Sequence, residues 1–281
     1  MEDSYRGWRR PGPVPPGGVD VEQGETLDYL CGWWRIFQYG KGHRYSTDDV
    51  LTAWYATTHA PRIARAADLG SGIGSVALIS AWRLPGAMFC TVEAQEMSVR
   101  LARKSVRYNG VEARFRLFHG DLRDEAILRD EEPFDLVTGS PPYWPPGAAS
   151  EATHEQAIRA RIETRGSVAD YACTAARILA PGGVFVFVFP ALQTARALDA
   201  LRQGGLALVR RRDVVFKEGE PPLITLFAAA RAEDIPFTYQ AYVEPPLTIR
   251  TRDGGVPAEY SAIRMSFGFP PGNVPSVSAP A

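Results

Sequence analysis

The sequence predicts an α/β fold with a seven-stranded, mostly parallel sheet and one antiparallel edge strand. Three observations carry it. Apolar runs at about 64–69, 87–92, 113–118, 133–138 and 184–189 alternate with helix-like segments, as crossover units require. Several of these runs stop at polar residues, which places polar groups along the carboxyl edge where open α/β sheets bind ligands. Two later runs, 207–216 and 223–230, are joined only by Lys217-Glu218-Gly219-Glu220-Pro221-Pro222. That link is too short for a crossover helix, so the two strands pair antiparallel.

The first unit sets the pattern. The apolar stretch from Ile63 to Ala67 leads into Asp68-Leu69-Gly70-Ser71-Gly72-Ile73-Gly74, and Ser75 to Arg83 reads as a helix. Glycines at 70, 72 and 74 let backbone approach a ligand closely. Ser75 stands where a G-x-G-x-x-G loop would need glycine, which argues against a pyrophosphate cradle. The second strand ends at Glu93, 19 positions after Gly74. A carboxylate at that distance and strand end can accept from both hydroxyls of a ribose. The third strand ends at His119-Gly120-Asp121, on the same edge.

The fourth strand, Phe134-Asp135-Leu136-Val137-Thr138, is followed by Ser140-Pro141-Pro142-Tyr143-Trp144. Two prolines fix φ and remove two amide donors, so carbonyls there stay free to accept from a ligand. Acceptors beside an aromatic ring suit a planar amino group such as the exocyclic nitrogen of adenine.

This order of motifs resembles the Rossmann-like S-adenosylmethionine-dependent methyltransferases, and the Pro-Pro-Tyr turn those that methylate planar amines. More narrowly, Glu25-Thr26-Leu27-Asp28, Gln38, Gly42-His43-Arg44-Tyr45-Ser46-Thr47-Asp48 and Val50-Leu51 are similar to the amino-terminal signature of the tRNA(Val) adenine-N6 methyltransferase family. Ala160-Arg161-Ile162-Glu163 with Asp170-Tyr171 resembles that family's Ala-Arg-His-Glu segment, and Leu247-Thr248-Ile249 through Glu259-Tyr260 its closing element. Ser140 stands where the family usually has Asn, and Ile162 replaces its histidine.

The resemblance implies an enzyme that uses S-adenosyl-L-methionine to methylate adenine N6 in RNA, with tRNA the expected partner. Asp68, Gly70, Gly72, Gly74, Glu93 and Asp121 would hold the donor. Ser140, Pro141, Pro142 and Tyr143 would carry the chemistry, and Tyr143, Trp144, Tyr45 and Asp48 would meet the substrate. Asp48 equally reads as part of a helix start in Ser46-Thr47-Asp48-Asp49. Ser140 keeps DNA adenine or cytosine and protein glutamine open as targets, and Ser140 with Ile162 leaves a non-catalytic cofactor-binding scaffold as a further alternative.

Composition fits one such domain with extensions. The 281 residues carry a net charge of −1, which gives no global support for nucleic-acid binding. Basic residues cluster locally: Arg100, Arg103, Lys104 and Arg107 share one helix face, and Arg210-Arg211-Arg212, Arg250 with Arg252, and Arg6, Arg9 and Arg10 form three more groups. Residues 1–22, rich in proline and glycine, are expected to be a disordered tail; 23–61 an aromatic-rich cap; 62–269 the methyltransferase domain; and 270–281 a second disordered tail. In the cap, Trp33, Phe37 and Trp54 are expected in the core. Cys31, Cys90 and Cys173 share no metal-binding spacing, so reduced thiols, no metal and a cytoplasmic location are expected. No run reaches membrane-span length.

Overall fold

The computed structural model describes residues 4–5, 7–59, 62–143 and 166–274. Trp144, the Ala160–Glu163 segment and most of the 270–281 tail lie outside them.

The strands of the central sheet are β5 (Arg65–Leu69), β6 (Met88–Glu93), β7 (Phe115–His119), β8 (Phe134–Gly139), β9 (Leu179–Pro190), β10 (Leu206–Val215), β11 (Ile224–Arg231) and β12 (Tyr242–Thr248). Before them come two hairpins, β1 (Ser4–Tyr5) with β2 (Trp8–Arg9), and β3 (Glu25–Cys31) with β4 (Trp34–Tyr39). The helices are α1 (Thr47–His59), α2 (Ser75–Arg83), α3 (Glu96–Tyr108), α4 (Val168–Ile178), α5 (Thr194–Gln203) and α6 (Ala258–Ser266). The sheet order is β12-β10-β11-β9-β8-β5-β6-β7. Strands β5 to β9 are parallel, and β11 runs antiparallel between β9 and β10.

All seven predicted strands form, within a few residues of their expected bounds except β9, which starts earlier. An eighth, β12, adds parallel to β10. Pro245 and Pro246 speak against a strand in sequence, but at a sheet edge their missing amides cost no ladder bonds.

Alternation along the strands builds a core on each face. Ala66, Leu136 and Val186 pack with α1, α2 and α3, whereas Ala67, Val137 and Phe187 pack with α4 and α5. Phe187 stacks on both Phe185 and Phe227, with centroids 4.9 and 4.8 Å apart. Each stacked pair is worth about 1 kcal/mol beyond its buried area.

Two sequence expectations change. Residues 7–22 follow a defined path, because Gly17 N–H donates to the Tyr108 carbonyl, Arg10 donates to the Gly32 carbonyl and Glu22 pairs with Arg100 and Lys104. Backbone pairing and ion pairs fix this segment where its composition promised no apolar core. Trp34 enters the core, while Trp33 sits half-buried at the turn with Arg10 against its ring. Cys173 is exposed on α4, while Cys31 and Cys90 are buried. Among the described residues no helix is long and apolar enough to cross a membrane.

Candidate active site

Strand order reverses between β5 and β8, so the connections after these neighbours diverge and leave a crevice at their carboxyl ends. Leu69 pairs with Gly139 in the parallel register, which sets the glycine loop beside Ser140. A cavity of about 670 Å³ opens there. Gly70, Ser71 and Gly72 from the loop after β5, Glu93 from the end of β6, and Ser140, Pro141, Pro142 and Tyr143 after β8 all line it.

The glycines have unequal duties. Gly70 has φ +57°, and a Cβ there would fall 1.8 Å from the Tyr171 hydroxyl. Gly139 faces the same ring, with a Cβ position 2.7 Å from Tyr171. Tyr171, on α4, therefore fills the space that both glycines leave open, and it lines the cavity too. Gly74 caps α2 with φ +81° and packs toward Ala102, so it shapes the loop without lining the cavity.

The carboxyl groups are held differently. Glu93 is buried, and its two oxygens accept from Gly72 N–H at 2.8 Å and Gln95 N–H at 2.7 Å. Asp68, at the floor, accepts from the Thr138 hydroxyl at 2.8 Å, while its Oδ2 has no hydrogen-bond partner. Burial pushes its pKa up to about 7. Ser71 Oγ and Ser140 Oγ are likewise buried without partners. Three unpaired polar atoms on one cavity wall are costly unless a polar ligand meets them.

Asp48 and Asp49 open α1 and part at once. Asp49 accepts from Ser46 N–H at 2.7 Å and from the Ser75 hydroxyl at 2.6 Å, so it caps α1 and ties it to α2. Asp48 points to the turn after β8, where its Oδ2 accepts from the Tyr143 hydroxyl at 2.8 Å. Burial raises the Asp48 pKa to about 6 and that of Tyr143 well above the usual range for tyrosine. Tyr143 is held twice more. Its ring meets Phe189 edge-on at 6.0 Å, and its carbonyl accepts from Gln193 Nε2 at 2.9 Å.

Two assigned residues fall elsewhere. Tyr45 points into the cap, its hydroxyl donating to the Tyr29 carbonyl at 2.7 Å; burial lifts its pKa to about 12. The hydroxyl finds the Tyr29 carbonyl and the backbone N–H the Gln38 side chain, so the ring turns inward. The Asp121 carboxylate pairs with Arg123, and Gly120 and Leu122 line the cavity on either side of it. Asp49, Tyr171, His43 and Ser71 line the cavity without having been assigned to it. For Asp49 a signal existed, since Ser46 and Asp49 have the spacing of a capping box.

Comparison with known proteins bears on this geometry. The family model for the methyltransferase small domain matches residues 49–207, more than half of the chain. The chain belongs to that family. It is a methyltransferase, with S-adenosyl-L-methionine as methyl donor. A tRNA1(Val) (adenine(37)-N6)-methyltransferase from Shewanella frigidimarina is 27% identical over 184 residues, covering 64% of this methyltransferase and 71% of the relative. A 4-amino-L-phenylalanine/4-methylamino-L-phenylalanine methyltransferase from Streptomyces pristinaespiralis is 33% identical over 144 residues, about half of each chain (49% and 48%). Among solved structures, an Agrobacterium tumefaciens protein described as a predicted O-methyltransferase aligns with TM-score 0.59 at 20% identity, over 79% of this chain and 98% of that one. That likeness concerns the fold alone.

Proposed function

We propose that this methyltransferase acts on the N6 amino group of adenine in RNA, with tRNA as its substrate in the cytoplasm. One observation carries the reading: the Gly70–Gly72 loop and the Ser140–Tyr143 turn open on the same cavity. Donor and amine can therefore meet on one rim.

The residues present fit the donor. Glu93 at its strand end suits two ribose hydroxyls, the Asp68 and Ser71 oxygens offer unpaired acceptors and a donor, and the glycine loop admits close backbone contact. The purine would lie near the backbone of Gly120 and Leu122 rather than on the Asp121 carboxylate. When bound, S-adenosyl-L-methionine supplies an electrophilic methyl group. Pro141 offers its carbonyl and Ser140 its unpartnered hydroxyl to the amine, which orients the nitrogen lone pair. The Tyr143 ring, with Trp144 following it, would stack on a base turned out of its helix, a contact worth about 1–3 kcal/mol. Alignment of this kind can account for about 7–11 kcal/mol of barrier lowering.

Nucleoside mass spectrometry of RNA from cells lacking the protein tests the reading. Loss of N6-methyladenosine from the tRNA fraction supports it, and an unchanged tRNA profile refutes it.

A second reading is a free aromatic amine in the manner of the Streptomyces relative. Two observations favour it. That relative reaches 33% identity. In addition, Arg100 and Lys104 of the basic stripe on α3 are already paired with Glu22 and Glu25, leaving Arg103 and Arg107 exposed. Methyl incorporation into tRNA and into 4-amino-L-phenylalanine, assayed in parallel, separates the two.

A further inference from the structure

Methylation of an amine releases a proton, and the cavity wall holds four carboxyl groups that could receive it. Two are bonded through both oxygens, and the third, Asp68, keeps one oxygen unpartnered but is bonded to a residue of β8 rather than to the turn. Asp49 binds Ser46 and Ser75, Glu93 binds the Gly72 and Gln95 amides, and Asp68 sits at the floor against Thr138. Asp48 is the fourth. Among the described residues its side-chain partner is Tyr143, a member of the turn that would hold the amine.

We propose that the Asp48 carboxylate accepts the proton released by the methylated amine, with the Tyr143 hydroxyl fixing the carboxylate toward the Ser140-Pro141-Pro142 turn. The proposal rests on the amine reading above. The nitrogen lone pair forms the new C–N bond while the C–S bonding pair returns to sulfur. As the C–N bond forms, the N–H bond breaks, its electron pair staying on nitrogen and the proton passing to Asp48. No further reactant is needed. A protonated N-methyl aromatic amine is a stronger acid than a carboxyl group titrating near 6, so the transfer runs downhill. The groups facing Asp48 set that value. Burial and Asp49 on its own helix raise it, and the Tyr143 hydroxyl lowers it. His43 and Arg44 from the preceding segment, Asp68 from β5, Glu93 from β6 and Tyr171 from α4 complete the titratable wall.

Single-turnover transfer from tritium-labelled S-adenosylmethionine, to an unmodified tRNA1(Val) transcript and to 4-amino-L-phenylalanine, tests this across the acid and neutral range. For the wild type, the rate is expected to fall about tenfold per pH unit below about 6. Asp48→Asn should lower the rate about 100-fold and abolish that acid limb, whereas Asp48→Glu should restore it. Tyr143→Phe removes a donor that lowers the Asp48 pKa, so its acid limb should move to higher pH. Calorimetric binding of the methyl donor reports on folding in each variant. An active wild type with an Asp48→Asn variant of equal rate, or with an acid limb unmoved in Tyr143→Phe and Asp48→Asn, overturns the proposal. Should Asp48→Asn fail to fold, an unshifted Tyr143→Phe limb overturns it alone. A wild type that methylates neither substrate overturns the amine reading, and this inference falls with it.

Discussion

The Tyr143 hydroxyl donates to Asp48 Oδ2 across 2.8 Å, joining the turn after β8 to the first turn of α1, 95 residues earlier in the chain. The ring that would carry the substrate base is thus oriented by the cap, and the cap's acid is oriented by the ring.

Replacement of Tyr143 by alanine is expected to abolish methyl transfer while leaving donor affinity within about twofold, since the donor side of the cavity is untouched. Calorimetry and tritium incorporation measure the two quantities. Equal loss of both would mean that the ring supports the donor instead.

Asp68 gives a prediction in pH. Its native carboxyl titrates at about 7, against 3.8 for an ordinary aspartate. Between those values the native state binds the extra proton, so its contribution to stability falls as pH rises through the window. Each pH unit of that interval is worth about 1.4 kcal/mol. Asp68→Asn should therefore be flatter in Tm from pH 4 to 7 than the wild type and more stable above 7, with weaker donor binding. Parallel Tm profiles for the two proteins would show that Asp68 keeps its proton equilibrium unchanged on folding.

Gly139→Ala should displace Tyr171, whose ring would lie 2.7 Å from the new methyl group. Overpacking of this kind costs about 1–3 kcal/mol. A denaturant midpoint equal to wild type would mean that Tyr171 moves aside freely. Gly139→Ala combined with Tyr171→Leu should recover part of the loss.

The eighth strand is testable through Tyr55. This fully buried residue of α1 donates from its hydroxyl to Glu244 of β12 at 2.6 Å. Tyr55→Phe leaves Glu244 with Arg210 at 3.8 Å and should cost about 1–3 kcal/mol. Hydrogen exchange should then quicken in β12 before it does in β9. Uniform quickening across the sheet would show that the bond does not anchor the edge.

What could be read from sequence followed from local rules. Parallel strands announced themselves as apolar runs with polar ends, and the Glu93, Asp68 and Ser140 positions followed from where those runs stop. What escaped depends on partners far along the chain. Tyr45 turns inward because its hydroxyl is satisfied by the Tyr29 carbonyl, and Arg100 and Lys104 lose their freedom to Glu22 and Glu25, some 80 residues earlier (78 and 79 for two of the pairs). Tyr171 reached the cavity by filling room left by two glycines on different strands' ends. Asp48 and Asp49 are chemically identical neighbours, and only the helix they begin tells them apart.

The cluster of acids around the cavity has an effect on turnover. Asp48, Asp49, Asp68 and Glu93 line one cavity and, when ionised, give it a negative potential that a sulfonium would meet. A cationic donor is drawn into such a field, but its thioether remnant, having lost that positive charge, is held less firmly. The donor should therefore outcompete its spent form by a wider margin as alkalinity increases, so the wall that recruits fresh reagent also limits inhibition by the used one.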